Sequence, residues 1–115
     1  MDDNGYLSKE EATAPQDMPH DDVDVAGGKV RVRGLSRREV LRMQHLKAQG
    51  IIKTEEQWEQ HFLSAALVIP EMTKEDVAEW QATPAAQLND VILKVEELSG
   101  MRKGADKRDL PEVRE

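Results

Sequence analysis

Two short stretches alternate apolar and polar residues, the period of a half-buried strand: Asp22-Val23-Asp24-Val25-Ala26 and Lys29-Val30-Arg31-Val32-Arg33. Gly27-Gly28 lies between them and can take the positive φ values of a tight turn, so the pattern predicts a β-hairpin. Folding about those glycines pairs Val25 with Val30 and Val23 with Val32 on one face, and Asp24 with Arg31 and Asp22 with Arg33 on the other.

Helical periods follow. Leu35-Ser36-Arg37-Arg38-Glu39-Val40 reads as a capping box, Ser36 with Glu39, under a hydrophobic staple of Leu35 on Val40. It opens a helix from about Arg37 to Gln49 that stops at Gly50. Thr54 with Gln57 reads as a second capping box, opening a helix that ends before Pro70 and buries Trp58, Phe62, Ala65, Ala66 and Ile69. Thr73 caps a short third helix with Met72 stapled to Val77. Pro84 suits the first position of a fourth, whose buried stripe is Leu88, Val91, Ile92, Val95 and Leu98 before Ser99-Gly100. The expected fold class is α+β, mainly α: an N-terminal β-hairpin packed on three to four short helices.

The ends show no such periods. Residues 1–20 read as a disordered acidic arm and residues 102–115 as a polar C-terminal tail, leaving residues 21–101 for a single hairpin-plus-helical domain. At that size a core is near the lower limit for folding alone.

Composition narrows the class. The chain of 115 residues has no cysteine, four aromatic residues and a net charge of −7. No disulfide framework or thiolate metal cluster is expected, no apolar run approaches the roughly 20 residues that span a bilayer, and Met1-Asp2-Asp3-Asn4 does not open like a signal peptide. A cytosolic protein without membrane contact is expected. Charge is segregated: residues 1–28 hold eight acids and one lysine, residues 29–53 eight bases and one acid, residues 54–101 ten acids and two lysines. The basic island raises nucleic-acid binding. The acids flanking it, and the carboxylates Glu55, Glu56 and Glu59 at the start of what would be a recognition helix, favour internal neutralisation instead.

Catalytic chemistry is not legible. His20, His45 and His61 lack metal-ligand spacing, Ala26-Gly27-Gly28-Lys29 lacks the full phosphate-loop pattern, and no nucleophile elbow or dinucleotide fingerprint occurs. No enzyme, metal site or cofactor is expected. Some apolar residues lie off the stripes: Leu63 and Leu67 stand roughly 140–180° from Trp58, and Leu93 roughly 140° from Leu88. Either the helices are sandwiched and bury both faces, or Leu63, Leu67 and Leu93 form a partner-binding surface.

The run Val30-Arg31-Val32-Arg33-Gly34-Leu35-Ser36-Arg37-Arg38-Glu39 resembles the start of small tail assembly chaperones of long-tailed bacteriophages. So do the order of an apolar helix, Ile69-Pro70-Glu71-Met72-Thr73-Lys74-Glu75-Asp76-Val77, Trp80, and a last helix closing Leu98-Ser99-Gly100, over roughly residues 23–101. The resemblance implies a non-enzymatic protein of the host cell cytoplasm. It implies a chaperone that coats the helical tape measure protein until tail tube protein polymerises around it, with a longer frameshifted form commonly present; weak apolar contacts along such a repeating target would gain avidity from self-association. A small head–tail connector or completion protein of the virion, also small and helical, is one alternative reading, and a host transcription or signalling adaptor using the basic surface of the first helix is another.

Overall fold

A computed structural model describes residues 5–101. The sheet begins with the predicted hairpin, β1 (His20–Val25) and β2 (Gly28–Arg33), which pair antiparallel. Val23, Val30 and Val32 are buried, and Val25 is partly so, so the apolar face is the expected one. The register is not. Val23 lies opposite Val30, Asp22 opposite Arg31 and Asp24 opposite Lys29, two residues away from the pairing expected from the sequence. The turn falls on Ala26-Gly27, with Gly27 at φ 89°, and Gly28 already belongs to the ladder opposite Val25. An even slip keeps every side chain on its own face, so the valine pattern could not distinguish the two registers.

The strand β1 also starts earlier than expected, at His20, which places Asp21 on the valine face. Its carboxylate meets Lys94 Nζ of the last helix at 3.1 Å. On the opposite face Asp22 receives Arg31 Nε at 2.8 Å, with Lys29 Nζ at 3.8 Å.

Helices α2 (Arg37–Ala48), α3 (Glu55–Ala66), α4 (Lys74–Trp80) and α5 (Ala85–Leu98) follow the predicted order, preceded by a short α1 (Lys9–Thr13) in the N-terminal segment. The Ser36/Glu39 capping box of α2 is formed, and its staple residues Leu35 and Val40 are buried. At α3 the box is half made: Thr54 Oγ1 accepts from Gln57 N–H, but the Gln57 amide oxygen takes Lys53 N–H instead of the cap residue's own. Thr73 and Asp76 complete a reciprocal box at α4. Pro84 stands at the N-cap of α5, with ψ 135°, one residue before its expected place. The Ser8/Glu11 box of α1 satisfies the first turn of a helix in a segment expected to have no structure. Residues 1–4 of that arm, and the tail 102–115, lie outside the described residues.

A third strand, β3 (Leu67–Ile69), replaces the end expected for the second predicted helix. It pairs antiparallel with the free edge of β2, Val32 opposite Leu67 and Arg31 opposite Ile69, with an irregularity between them. Ile69 precedes Pro70, a position biased to extended backbone, and Leu-Val-Ile suits a pleated surface. The N–H of Leu67 still donates to Leu63 O, so strand begins where the helical ladder ends.

Helix α5 lies on the valine face of the hairpin, while α3 packs against α4 and α2. Leu88, Val91, Ile92 and Val95 are buried as expected and Leu98 is partly buried. The hairpin and α5 also meet end to end: Leu35 N–H donates to Ser99 Oγ at 2.8 Å, and a Cβ on Gly34 would fall 2.6 Å from Leu98 O. The fold is α+β and mainly α.

Candidate interaction surfaces

The three leucines singled out as a surface do not converge. Leu63 is 0% exposed and Leu67 5%, and both belong to the core. This corrects the surface reading for those two. Helix α3 is enclosed by α2 and α4, so it buries more than one stripe. Leu67 lies beyond the helix and faces inward as the first residue of β3, where helical angles no longer apply. Leu93 is exposed at 38%, between the exposed Asn89 and Asp90 and the exposed Glu97 along α5.

A different apolar surface is open. Met43 and Leu46 of α2, Ala65 of α3 and Met72 before α4 floor a groove of about 700 Å³, flanked by the exposed Ile51. Its rim carries Glu39, Arg42, His61, Lys74 and Glu75. A second hollow of about 630 Å³ shares Ser64, Ala65, Met72 and Thr73 with it and continues to His20, Arg33, Val68 and Glu71. The two form one trough from α2 along α3 to the edge of the sheet. Sequence periodicity could not find it, because its floor is made of residues that also belong to the core stripes: Met43 is buried, and Leu46, Ala65 and Met72 pack against the core.

Electrostatics fixes one wall of this trough. Arg33 Nη1 and Nη2 reach the two Glu39 carboxylate oxygens at 3.0 and 2.7 Å, and Glu39 Oε1 accepts Ser36 N–H at 2.8 Å. The Arg33 guanidinium, helped by Ser36, holds the Glu39 carboxyl down at about 2 despite partial burial. His61 is pushed below the ordinary imidazole value, by burial first and by the nearby Lys74 charge second.

The basic island is only partly neutralised. Lys29 and Arg31 meet Asp22, and Arg33 meets Glu39. Arg37, Arg38 and Arg42 of α2 are exposed and make no ion pair among the described residues. Between α3 and α5 a third hollow, of about 440 Å³, is lined by Glu55, Glu56, Glu59, Gln81 and Asn89 over Leu88 and Ile92. The Gln81 amide spans it, donating to Glu56 O and Glu59 Oε1 at 3.1 Å each and accepting from Gln60. Among the described residues, no three His, Asp or Glu side chains are placed to hold a metal ion, and no helix is long and apolar enough to cross a membrane. His20, His45 and His61 stand on β1, α2 and α3.

Comparison with protein-family models, with curated proteins and with solved structures finds no match for this chain.

Proposed function

We propose that this protein is a non-enzymatic tail assembly chaperone of a long-tailed bacteriophage, acting in the host cytoplasm to hold the helical tape measure protein before tail tube protein polymerises around it. The observation that carries this reading is the α2–α3–α4 trough, together with the resemblance of residues 23–101. An amphipathic helix presents anchors at i, i+3, i+4 and i+7, and a groove floored by Met43, Leu46, Ala65 and Met72 between charged rims offers what such a face needs. Methionine adapts to irregular partners, which suits a long target that never offers the same side chains twice. Rims carrying both signs, Arg42 and Lys74 against Glu75, tolerate varied flanking charges.

The test is coexpression with a tape measure protein of a long-tailed bacteriophage. The helical protein should remain soluble with the chaperone and aggregate without it, and the chaperone should be missing from purified virions. An unchanged soluble fraction overturns the reading. Stoichiometric recovery in finished particles would identify a connector or completion protein instead.

A further inference from the structure

Helix α2 carries a face that the fold leaves bare. Arg37, Arg38, Leu41, Arg42 and His45 recur at helical spacing and are all exposed, Leu41 at 45%. Like charges a turn apart, such as Arg38 and Arg42, destabilise a helix slightly. Here they remain without an ion-pair partner among the described residues, in a chain of net charge −7.

The complement is in the same chain. Tyr6 and Leu7 are exposed at 71% and 70%, immediately before α1, which brings Glu10 and Glu11 into its first turn. Helix α1 buries no residue, so its five residues are held by a capping box and local hydrogen bonds such as Thr13 Oγ1 to Lys9 O, far below the length at which an isolated helix is stable. An ordered turn with an unpacked aromatic and an unpacked leucine has the composition of an anchor: apolar tip, acidic flank.

We propose that the Tyr6–Leu7 arm of one copy docks on the α2 face of a second copy, Tyr6 and Leu7 against Leu41, and Glu10 and Glu11 against Arg38 and Arg42. The arm's root favours a second copy over its own helix. Pro19 O accepts Gly34 N–H at 2.8 Å, which pins the root to the strand end just before α2. Pro15 and Pro19 then bias the residues before them to extended backbone, and with Tyr6, Leu7 and Leu41 all exposed the arm does not cover its own α2 face. The two patches differ, so a single arm-to-face contact leaves one arm and one helix face free, and a two-fold dimer uses both by exchanging arms. This contact concerns the chain alone and stands whether or not the chaperone reading does.

Sedimentation equilibrium of the full chain over a range of concentrations tests it. The mean mass should rise above the monomer with concentration at low salt and fall back in about 0.5 M salt, since the pairs are exposed. Tyr6→Ser with Leu7→Ser should weaken association about tenfold or more, and Arg38→Glu with Arg42→Glu likewise. Tyr6 and Leu7 lie outside the core, exposed at 71% and 70%, so the arm variant should keep the fold, and circular dichroism checks both variants. The decisive sample is the equimolar mixture of the two variants. Each retains one intact patch, so a heterodimer should form at concentrations where neither variant associates alone. Monomer mass at every wild-type concentration, unaltered association of the arm variant, or a mixture that stays monomeric overturns the proposal.

Discussion

The Arg33 guanidinium grips the Glu39 carboxylate with two hydrogen bonds, at 3.0 and 2.7 Å, while the same carboxylate closes the capping box of α2 through Ser36 N–H. One side chain therefore joins the end of the central strand to the start of the first long helix. The sequence expected Arg33 opposite Asp22 across the hairpin. The two-residue shift in register gives Asp22 to Arg31 and leaves Arg33 to turn toward α2.

That junction makes stability depend on acid. Glu39 is lowered from 4.5 to about 2 by the Arg33 hydrogen bonds, so the folded state favours the ionised form. Its contribution is fully present above the unfolded value and is lost as pH falls through the folded one. Screening of a pair that is about a third exposed leaves roughly 1 kcal/mol. Urea midpoints should decline between about pH 4.5 and pH 2 in the wild type, and less steeply in Glu39→Gln. Equal slopes for the two proteins would remove the junction.

Gly34 is required for a steric reason, since a Cβ there would lie 2.6 Å from Leu98 O and 2.9 Å from Leu98 C. Both atoms are backbone and cannot swing aside. Gly34→Ala should destabilise the protein by about 1–3 kcal/mol, by forcing the end of α5 off the hairpin. The Leu35–Ser99 hydrogen bond should weaken with it, seen as faster amide exchange at Leu35. An unchanged thermal midpoint would show that α5 is not clamped there.

How much was legible depends on how local the signal was. Capping boxes and staples are encoded within six residues: Ser36/Glu39 forms in full, Thr54/Gln57 forms by half, and Thr73 caps α4 as expected. The valine face of the hairpin is a parity and survives the register shift, whereas the register turns on which residues take the bend, and Gly27-Gly28 left that choice open. Strand β3 was hidden because Ala65, Ala66 and Ile69 continue a helical stripe, and the pairing that turns the local bias of Leu67–Ile69 into a strand lies about 36 residues earlier. The surface was least legible: off-stripe angles cannot tell a helix face enclosed by neighbours from a bare one, and α3 is enclosed.

Leu63 and Leu93 should separate those cases by measurement. Leu63→Ala empties a site that is 0% exposed and should cost about 2–5 kcal/mol. Leu93→Ala, at a position exposed at 38%, should stay within about 0.5 kcal/mol of wild type. The same logic gives Ile92→Ala, 5% exposed on α5, a cost of about 2–5 kcal/mol. Similar thermal midpoints for the Leu63 and Leu93 variants would contradict the placement of α3 between its neighbours.

The trough can be tested apart from the core by substituting its exposed flank. Ile51 lines the groove and is exposed at 54%, so Ile51→Glu removes an apolar contact and adds a charge without opening a cavity. Its folding stability should remain within about 0.5 kcal/mol of wild type. A bound amphipathic helix would instead have to bury the new carboxylate or withdraw from it, and either outcome weakens binding by about 2 kcal/mol or more. On the chaperone reading, Ile51→Glu coexpressed with a tape measure protein should therefore fail to keep it soluble, while its circular dichroism and thermal midpoint match the wild type. Leu93→Glu, on α5 away from the trough lining, serves as the paired control and should keep that activity. If the control loses activity and Ile51→Glu keeps it, the partner lies on α5 and the α2–α3–α4 trough is not its seat.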